Sequence, residues 1–551
     1  MSRARIISAV ALILFTGMAA YQLALPGLHY DEAFEAVPAM QLLLNQPVTS
    51  FRDNGIQLGG RLFPLMTQDY IGAINTYAAI PFFLLLGINS ISLRIMAIII
   101  GLLTLLLTLW LADLLYGPLV AALAVLLLAV NPTFVFWSRQ GVFVTSVTAA
   151  IGLGVALMWL YWWRTGSRRY AIAGAFLVGL GLYAKFLFLW LIVALGLAVV
   201  LLNVHRWRAF SRRLLQAPLG WSVLALVLGC APLFVYNLQT GGTLRSVGDN
   251  LTTSYYGTSN LAFFPNLLER LRQFAAVLSG GHFWYLGGTY ANRLSLFIFL
   301  AALGVTLAVL VIGKSRDEAR RALFPFLVVG GVIVASCATV SALWVTHFAI
   351  LVPWPALAVA AAIGLLIHRR EFRVTLSGAN LVLILASIAV GASWLLDVAV
   401  DVRYHQALSI SGGLGTHSDA VENLARWLVA DERRGAPVVA MDWGITAPSA
   451  FLTLGEVTPV EAFGYDWETD ADFAARLEQF IENEPAGIYL WRAPDEIIFD
   501  RGADFRQLYE ARGLEEDILE AFYERSGRPV LGATSLVPEG TAVNPPKPLG
   551  D

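Results

Sequence analysis

Residues 170–203 read YAIAGAFLVGLGLYAKFLFLWLIVALGLAVVLLN, an apolar stretch interrupted by one ion, Lys185. A membrane crossing takes about 20 apolar residues, so this stretch is too long for one. A charge at the bilayer centre costs at least ~2.5 kcal/mol on insertion scales. The stretch therefore predicts a hairpin of two crossings, 170–184 and 186–203, with Lys185 at the turn. Arg168 and Arg169 precede it and Arg206 and Arg208 follow it. Both flanks then lie on one side of a membrane and Lys185 on the other.

Working outward, the same reading finds about eleven spans, near 6–26, 92–112, 119–135, 142–163, 170–184, 186–203, 217–237, 294–313, 323–342, 347–367 and 377–397. Of these, 119–135 and 170–184 are the shortest. The basic clusters test the count. Arg3 and Arg5, Arg164 to Arg169, Arg206 to Arg213, Lys314 to Arg321, and Arg369 to Arg373 fall at alternate connections. The positive-inside rule assigns that side, and the N-terminus, to the cytoplasm. The first span is read as retained, although Arg3, Arg5 and Met18-Ala19-Ala20 resemble a cleavable signal. Three stretches in the long outer connections, Ala33–Leu44, Ile71–Leu86 and Asn260–Leu278, are expected to be interfacial helices.

Composition agrees. Hydrophobic residues are 57% and charged residues 14%, against roughly 25% charged in soluble domains; the mean hydropathy is +0.67. The net charge of -2 conceals a division. Residues 415–551 hold 11 Lys+Arg and 26 Asp+Glu of the chain's 37 and 39. That shift marks a boundary between a basic membrane region, 1–400, and an acidic soluble one. Helix-like and strand-like segments alternate from 415, with helices at Asp419–Arg433 and Ala471–Glu482 and strands at Pro437–Met441, Gly487–Trp491 and Pro529–Leu536. This predicts an extracytoplasmic α/β domain over 415–540. Residues 541–551, with Pro545-Pro546-Lys547-Pro548, read as a disordered tail. No basic patch suggests nucleic acid, and Cys230 and Cys337 sit in apolar runs without metal or disulfide spacing.

The candidate site residues are ions near the outer surface. Asp31 and Glu32 follow the first span in His29-Tyr30-Asp31-Glu32-Ala33-Phe34, and either suits a general base for an acceptor hydroxyl. Acids at this place also suit a helix start. Asp69 precedes Tyr70-Ile71-Gly72-Ala73 and reads as a further carboxylate of the same cleft, or as another helix-start acid. Lys185 suits a phosphate; the alternative is a snorkelling lysine. Arg94 and Arg139 lie at outer turns, against the inward bias of the other arginines. His347 opens the span at 347–367. Cations at headgroup depth beside carboxylates point to a lipid phosphate and proton transfer. A divalent metal is compatible with this chemistry, but no clear ligand motif supports one.

These residues, in this order, resemble the GT-C type of membrane glycosyltransferase, and within it the family of aminoarabinose transferases and protein O-mannosyltransferases. The matching elements are Asp31-Glu32-Ala33, Tyr70-Ile71-Gly72-Ala73 with Ser92-Leu93-Arg94, Asn131-Pro132 through Arg139, Gly181 through Lys185, and His347 through Pro355. In the tail, Val438 to Gly444 and Ser526 to Pro529 recur in type. The resemblance implies a multi-pass protein of the plasma membrane. It implies inverting transfer of a sugar from a polyprenyl-phosphate donor to an acceptor hydroxyl, with the first-loop acid, here Asp31, at the reaction centre. Two departures stand out. Gln140-Gly141-Val142 follows Arg139 where many relatives carry an acid, and Asp69 lacks the lysine and proline that follow the first-loop acid in many relatives. The competing reading is a flippase or transporter of lipid-linked saccharides, for which repeated halves and midplane breaks would be expected.

Overall fold

The computed structural model describes residues 2–140, 144–254, 257–312, 316–338, 343–368, 375–376, 379–462, 470–483 and 487–545. Each expected span contains a helix. Among the described residues seven helices are long and apolar enough to cross a membrane, and up to nine if each of two bent pairs is one span. The difference from eleven has local causes. The stretch 119–135 stops at Ala129, because Asn131 caps a new short helix, Pro132–Trp137, by accepting from Phe134 N at 3.1 Å, with Pro132 in its first turn. Asparagine caps and first-turn prolines start helices rather than continue them. The helix Arg168–Ala184 ends at Lys185. The stretch 217–237 bends by 59° where Leu219–Gly229 meets Ala231–Thr240, and 345–367 bends by 46° ahead of Pro353. Proline removes a helix hydrogen bond and clashes one turn back, which is why both bends sit at one.

Three of the basic connections meet at one end of the bundle; Arg369, Arg370 and Arg373 lie outside the described residues. Arg213 donates to the carbonyls of Trp162 and Trp163, Arg206 pairs with Asp317 at 2.8 Å, and Tyr116 donates to Arg321 O. These contacts put the three connections at the same end, as the alternation has it. The three stretches expected to be interfacial form helices, Tyr30–Leu44, Ile74–Leu86 and Phe263–Ser279, of which Tyr30–Leu44 is mostly buried within the protein.

The tail builds a five-stranded sheet in the order Leu514–Tyr523, Pro529–Pro538, Ile488–Arg492, Val438–Ala440, Val460–Glu461, antiparallel on the first side and parallel on the second. The strand Val438–Ala440 alternates its side chains between two cores, as a period of two requires. Val439 and Met441 pack with Phe473, Leu477 and Phe505, whereas Val438 and Ala440 pack with Leu424 and Phe451. The second core also contains Tyr30, Ala33, Met40 and Phe83. The first-loop helix therefore shares a core with the tail. Gly27 allows the close approach, since a Cβ there would lie 2.1 Å from Ser418 O. The last long helix, Leu381–Ser411, runs past the expected end of its span at 397 and leads into this sheet domain. Of the expected tail 541–551, residues 542–544 are tied by backbone N–H groups to Glu515 and Asp517; 546–551 lie outside the described residues.

Candidate active site at the end opposite the basic loops

The helix Tyr30–Leu44 carries the first-loop acids, and its capping residue is His29 rather than Asp31. His29 Nδ1 accepts from Asp31 N at 3.2 Å. Burial pushes the His29 imidazole below its ordinary pKa, so it stays neutral and keeps that acceptor free. His29 stacks on His417 at 4.1 Å, and His417 stacks on Tyr285 at 3.8 Å. Asp31 projects from the first turn with its side chain 41% exposed. It is not needed as the cap, and it is open to a substrate.

Glu32 and Arg94 behave differently from expectation. Arg94 Nε donates to Glu32 Oε1 at 2.8 Å and its NH2 to Oε2 at 3.1 Å, with both side chains 1% exposed. The remaining donors bind Leu23 O and Gly27 O. Arg139, fully buried, donates to Tyr21 O, Gln22 O and Leu25 O. These two arginines hold residues 21–27 in place ahead of Asp31. The closed pair departs from the expectation that Arg94 faces a phosphate and that Glu32 is open to catalysis, because the two side chains engage each other; Arg139 NH2 is held by the backbone, whereas among the described residues its Nε has no hydrogen-bond partner. Gln140, where relatives carry an acid, accepts from Tyr285 OH at 2.8 Å.

Asp69 has partners of its own. Arg52 binds it in bidentate fashion, 2.9 Å to each oxygen, and Tyr236 OH donates to it as well. The segment after it nevertheless reaches the site: Ile71 bridges to Lys185, and Phe186 N donates to Tyr70 O at 2.9 Å. Gly72 permits this, since a Cβ would meet Tyr183 O at 2.4 Å.

The turn so held places Lys185, 7% exposed, in an electrostatic cluster with Asp31, Glu35 and His347. Glu35 and Arg270 complete it and were not among the expected residues. Glu35 is 8% exposed and accepts at Oε2 from Asn75 Nδ2 at 2.6 Å. Arg270 is fully buried between Trp190 and Phe348, 5.3 and 5.1 Å from the ring centroids, and acts electrostatically on His347. Its NH1 donates to Gln273 Oε1 and Trp344 O. Among the described residues its Nε and NH2, and His347 Nδ1, have no hydrogen-bond partner. Both residues had a sequence signal. Glu35 lies one helical turn after Asp31, and Arg270 lies at helical spacing with Asn266, Phe274 and Val277 on the buried face of its helix. Among the described residues no three His, Cys, Asp or Glu side chains group as metal ligands.

The described residues form a multi-pass helix bundle with a capped acid helix in the first connection, a cation cluster at the same end and a trailing sheet domain, an arrangement similar in fold to membrane glycosyltransferases of GT-C type. Residues 75–234 match the model of the dolichyl-phosphate-mannose-protein mannosyltransferase family. The chain superposes on ArnT from Cupriavidus metallidurans in the apo state with a TM-score of 0.61 and 11% identity, over 96% of this chain and 97% of that one. The same protein bound to undecaprenyl phosphate gives 0.59 and 13%, again over 96% and 97%. The oligosaccharyltransferase of Archaeoglobus fulgidus in complex with Zn and sulfate gives 0.51 and 12%, over 88% of this chain and 68% of that one. No curated protein sequence matches significantly. The family match and the fold support lipid-linked sugar transfer in general.

Proposed function

We propose that the protein transfers a sugar from a polyprenyl-phosphate donor to an acceptor hydroxyl, with inversion, at the outer face of the plasma membrane. The observation that carries this reading is the pair of unpartnered guanidinium nitrogens on the fully buried Arg270, which acts on His347 as Lys185 does. A buried cation with bare donors is costly unless an anion binds it, and at this end of the bundle a lipid phosphate is the fitting anion. A fold relative is known bound to undecaprenyl phosphate, and that carrier is the natural probe.

Asp31 takes the acceptor proton as the acceptor oxygen attacks the anomeric carbon, and the phosphate leaves toward Lys185, Arg270 and His347. Sidedness follows from the basic loops, which meet at the opposite end. The test is purified protein in detergent with polyprenyl-phosphate sugars and a candidate acceptor. Polyprenyl phosphate should be released in step with a glycosylated product. Movement of an unaltered lipid-linked saccharide across a vesicle membrane, with no release, would replace the enzyme by a transporter.

A further inference from the structure

We propose that Glu35 is a second catalytic carboxyl, which delivers a proton to the departing phosphate while Asp31 receives one from the acceptor. The inference rests on the phosphate position given above. Asp31 and Glu35 lie four residues apart, one turn of one helix, and so share a face. Their surroundings differ. Asp31 is 41% exposed at its side chain, whereas Glu35 is enclosed by the helix Ile74–Leu86. Asn75 Nδ2 donates to Glu35 Oε2 at 2.6 Å, and Thr76 Oγ1 anchors the Glu35 carbonyl at 2.7 Å. With Oε2 held as an acceptor, Oε1 is the oxygen left to carry a proton. Among the described residues the charged groups acting on Glu35 are Asp31, on its own helix, and Lys185, on the turn facing it.

Burial dominates and pushes the Glu35 carboxyl up to about 8, with Asn75 and Lys185 opposing and Asp31 reinforcing the shift. The group is then protonated at neutral pH. A pair of carboxyls in contrasting environments is the usual basis for separate acid and base duties.

The step balances. The acceptor O–H bond breaks, its proton goes to Asp31, and its oxygen bonds the anomeric carbon. The bond from that carbon to the phosphate oxygen breaks, the electron pair stays on the oxygen, and the Glu35 proton joins it. Asp31 then releases a proton to water and Glu35 regains one.

Undecaprenyl phosphate, as the product, tests this without knowledge of the sugar. Its affinity and proton stoichiometry are measured by calorimetry in two buffers of different ionisation enthalpy, from pH 7 to 9.5. Lys185 is itself titratable, so Lys185→Arg is the background that keeps a fixed charge there. In that background each phosphate bound above pH 8 should take up close to one proton, and affinity should fall about tenfold per pH unit. Adding Glu35→Gln, which can still bond Asn75, should abolish uptake and flatten the pH dependence while binding persists. Uptake that survives Glu35→Gln, or binding without uptake before it, overturns the role of Glu35. Failure of the wild-type protein to bind undecaprenyl phosphate overturns the phosphate position, and this inference with it. With a turning-over donor, Glu35→Gln should lower kcat by ~10-fold or more and remove the loss of rate above pH 8. Unchanged kcat would leave Glu35 as a spectator.

Discussion

Two neighbouring acids on one helix meet opposite fates. Glu32 faces Arg94 in a closed pair, bidentate and 1% exposed, whose remaining guanidinium donors are taken by backbone carbonyls. Glu35, three residues on, faces Asn75 and Lys185, in a group that extends through His347 to Arg270 with its bare nitrogens. The difference teaches how to separate buried ions that hold a fold from buried ions that await a ligand. Saturated hydrogen bonding marks the first kind. Unsaturated bonding in a cluster at the end opposite the basic loops marks the second.

The sharpest way to break this comparison is to cut the closed pair. Arg94→Ala leaves Glu32 buried without compensation, which should cost about 3–5 kcal/mol. Thermal unfolding in detergent should show a large fall in Tm or no folded protein, with partial recovery when Glu32→Gln is added. A stable, normally folded Arg94→Ala protein would mean that the pair is not structural. Next in size is the exposed acid. Asp31→Asn removes no packing and leaves the His29 cap, so folding and phosphate binding should persist while turnover falls ~10²-fold or more. Glu32→Gln was the expected rival, and it should show its main effect in Tm rather than in the chemical step.

Arg270 sharpens the contrast from the other side. Replacing a buried, half-satisfied ion by a well-packed apolar residue is often neutral or stabilising. Arg270→Met should therefore hold or raise Tm, opposite to Arg94→Ala, while weakening phosphate binding. A fall in Tm as large as that of Arg94→Ala would erase the distinction. The smallest expected effect, taken per pH unit, is the pH dependence at Glu35. Its folded-state carboxyl is raised from 4.5 to about 8, so the folded protein binds more protons than the unfolded chain between those values. Its contribution is then full below about 4.5 and is lost as pH rises through about 8. The stability of wild type relative to Glu35→Gln should fall by about 1 kcal/mol per pH unit across that window, read from Tm at pH 6 and pH 8.

How much of this was legible depends on distance along the chain. The hairpin around Lys185 follows from one apolar stretch with basic flanks, and the structure places a helix at each expected span. Helices end where local chemistry ends them, as at Asn131-Pro132. The roles of Arg94, Arg139 and Asp69 were not legible, because their partners lie far away in sequence or on the backbone: Glu32 for Arg94, the carbonyls of 21–25 for Arg139, Arg52 and Tyr236 for Asp69. An outer-facing arginine reads the same in sequence whether a carbonyl or a phosphate receives it. The change of composition near 415 also hid a shared core, in which Tyr30, Ala33 and Met40 pack with Leu424 and Phe451. The strand Leu514–Tyr523 escaped because its acidic residues, Glu515, Glu516, Asp517 and Glu520, obscure the alternation, although it is paired along its length with Pro529–Pro538.

The claim that most needs testing is that the unsaturated cluster holds a lipid phosphate. The direct measurement is the affinity of purified wild type, Lys185→Ala, Arg270→Met and Arg52→Ala for undecaprenyl phosphate in detergent. Loss of a charge-assisted phosphate contact costs about 1.5–3 kcal/mol, so the first two variants should bind roughly tenfold or more weakly than wild type. Arg52→Ala, whose guanidinium serves Asp69, should bind as wild type does. Wild-type affinity in both Lys185→Ala and Arg270→Met would contradict the account.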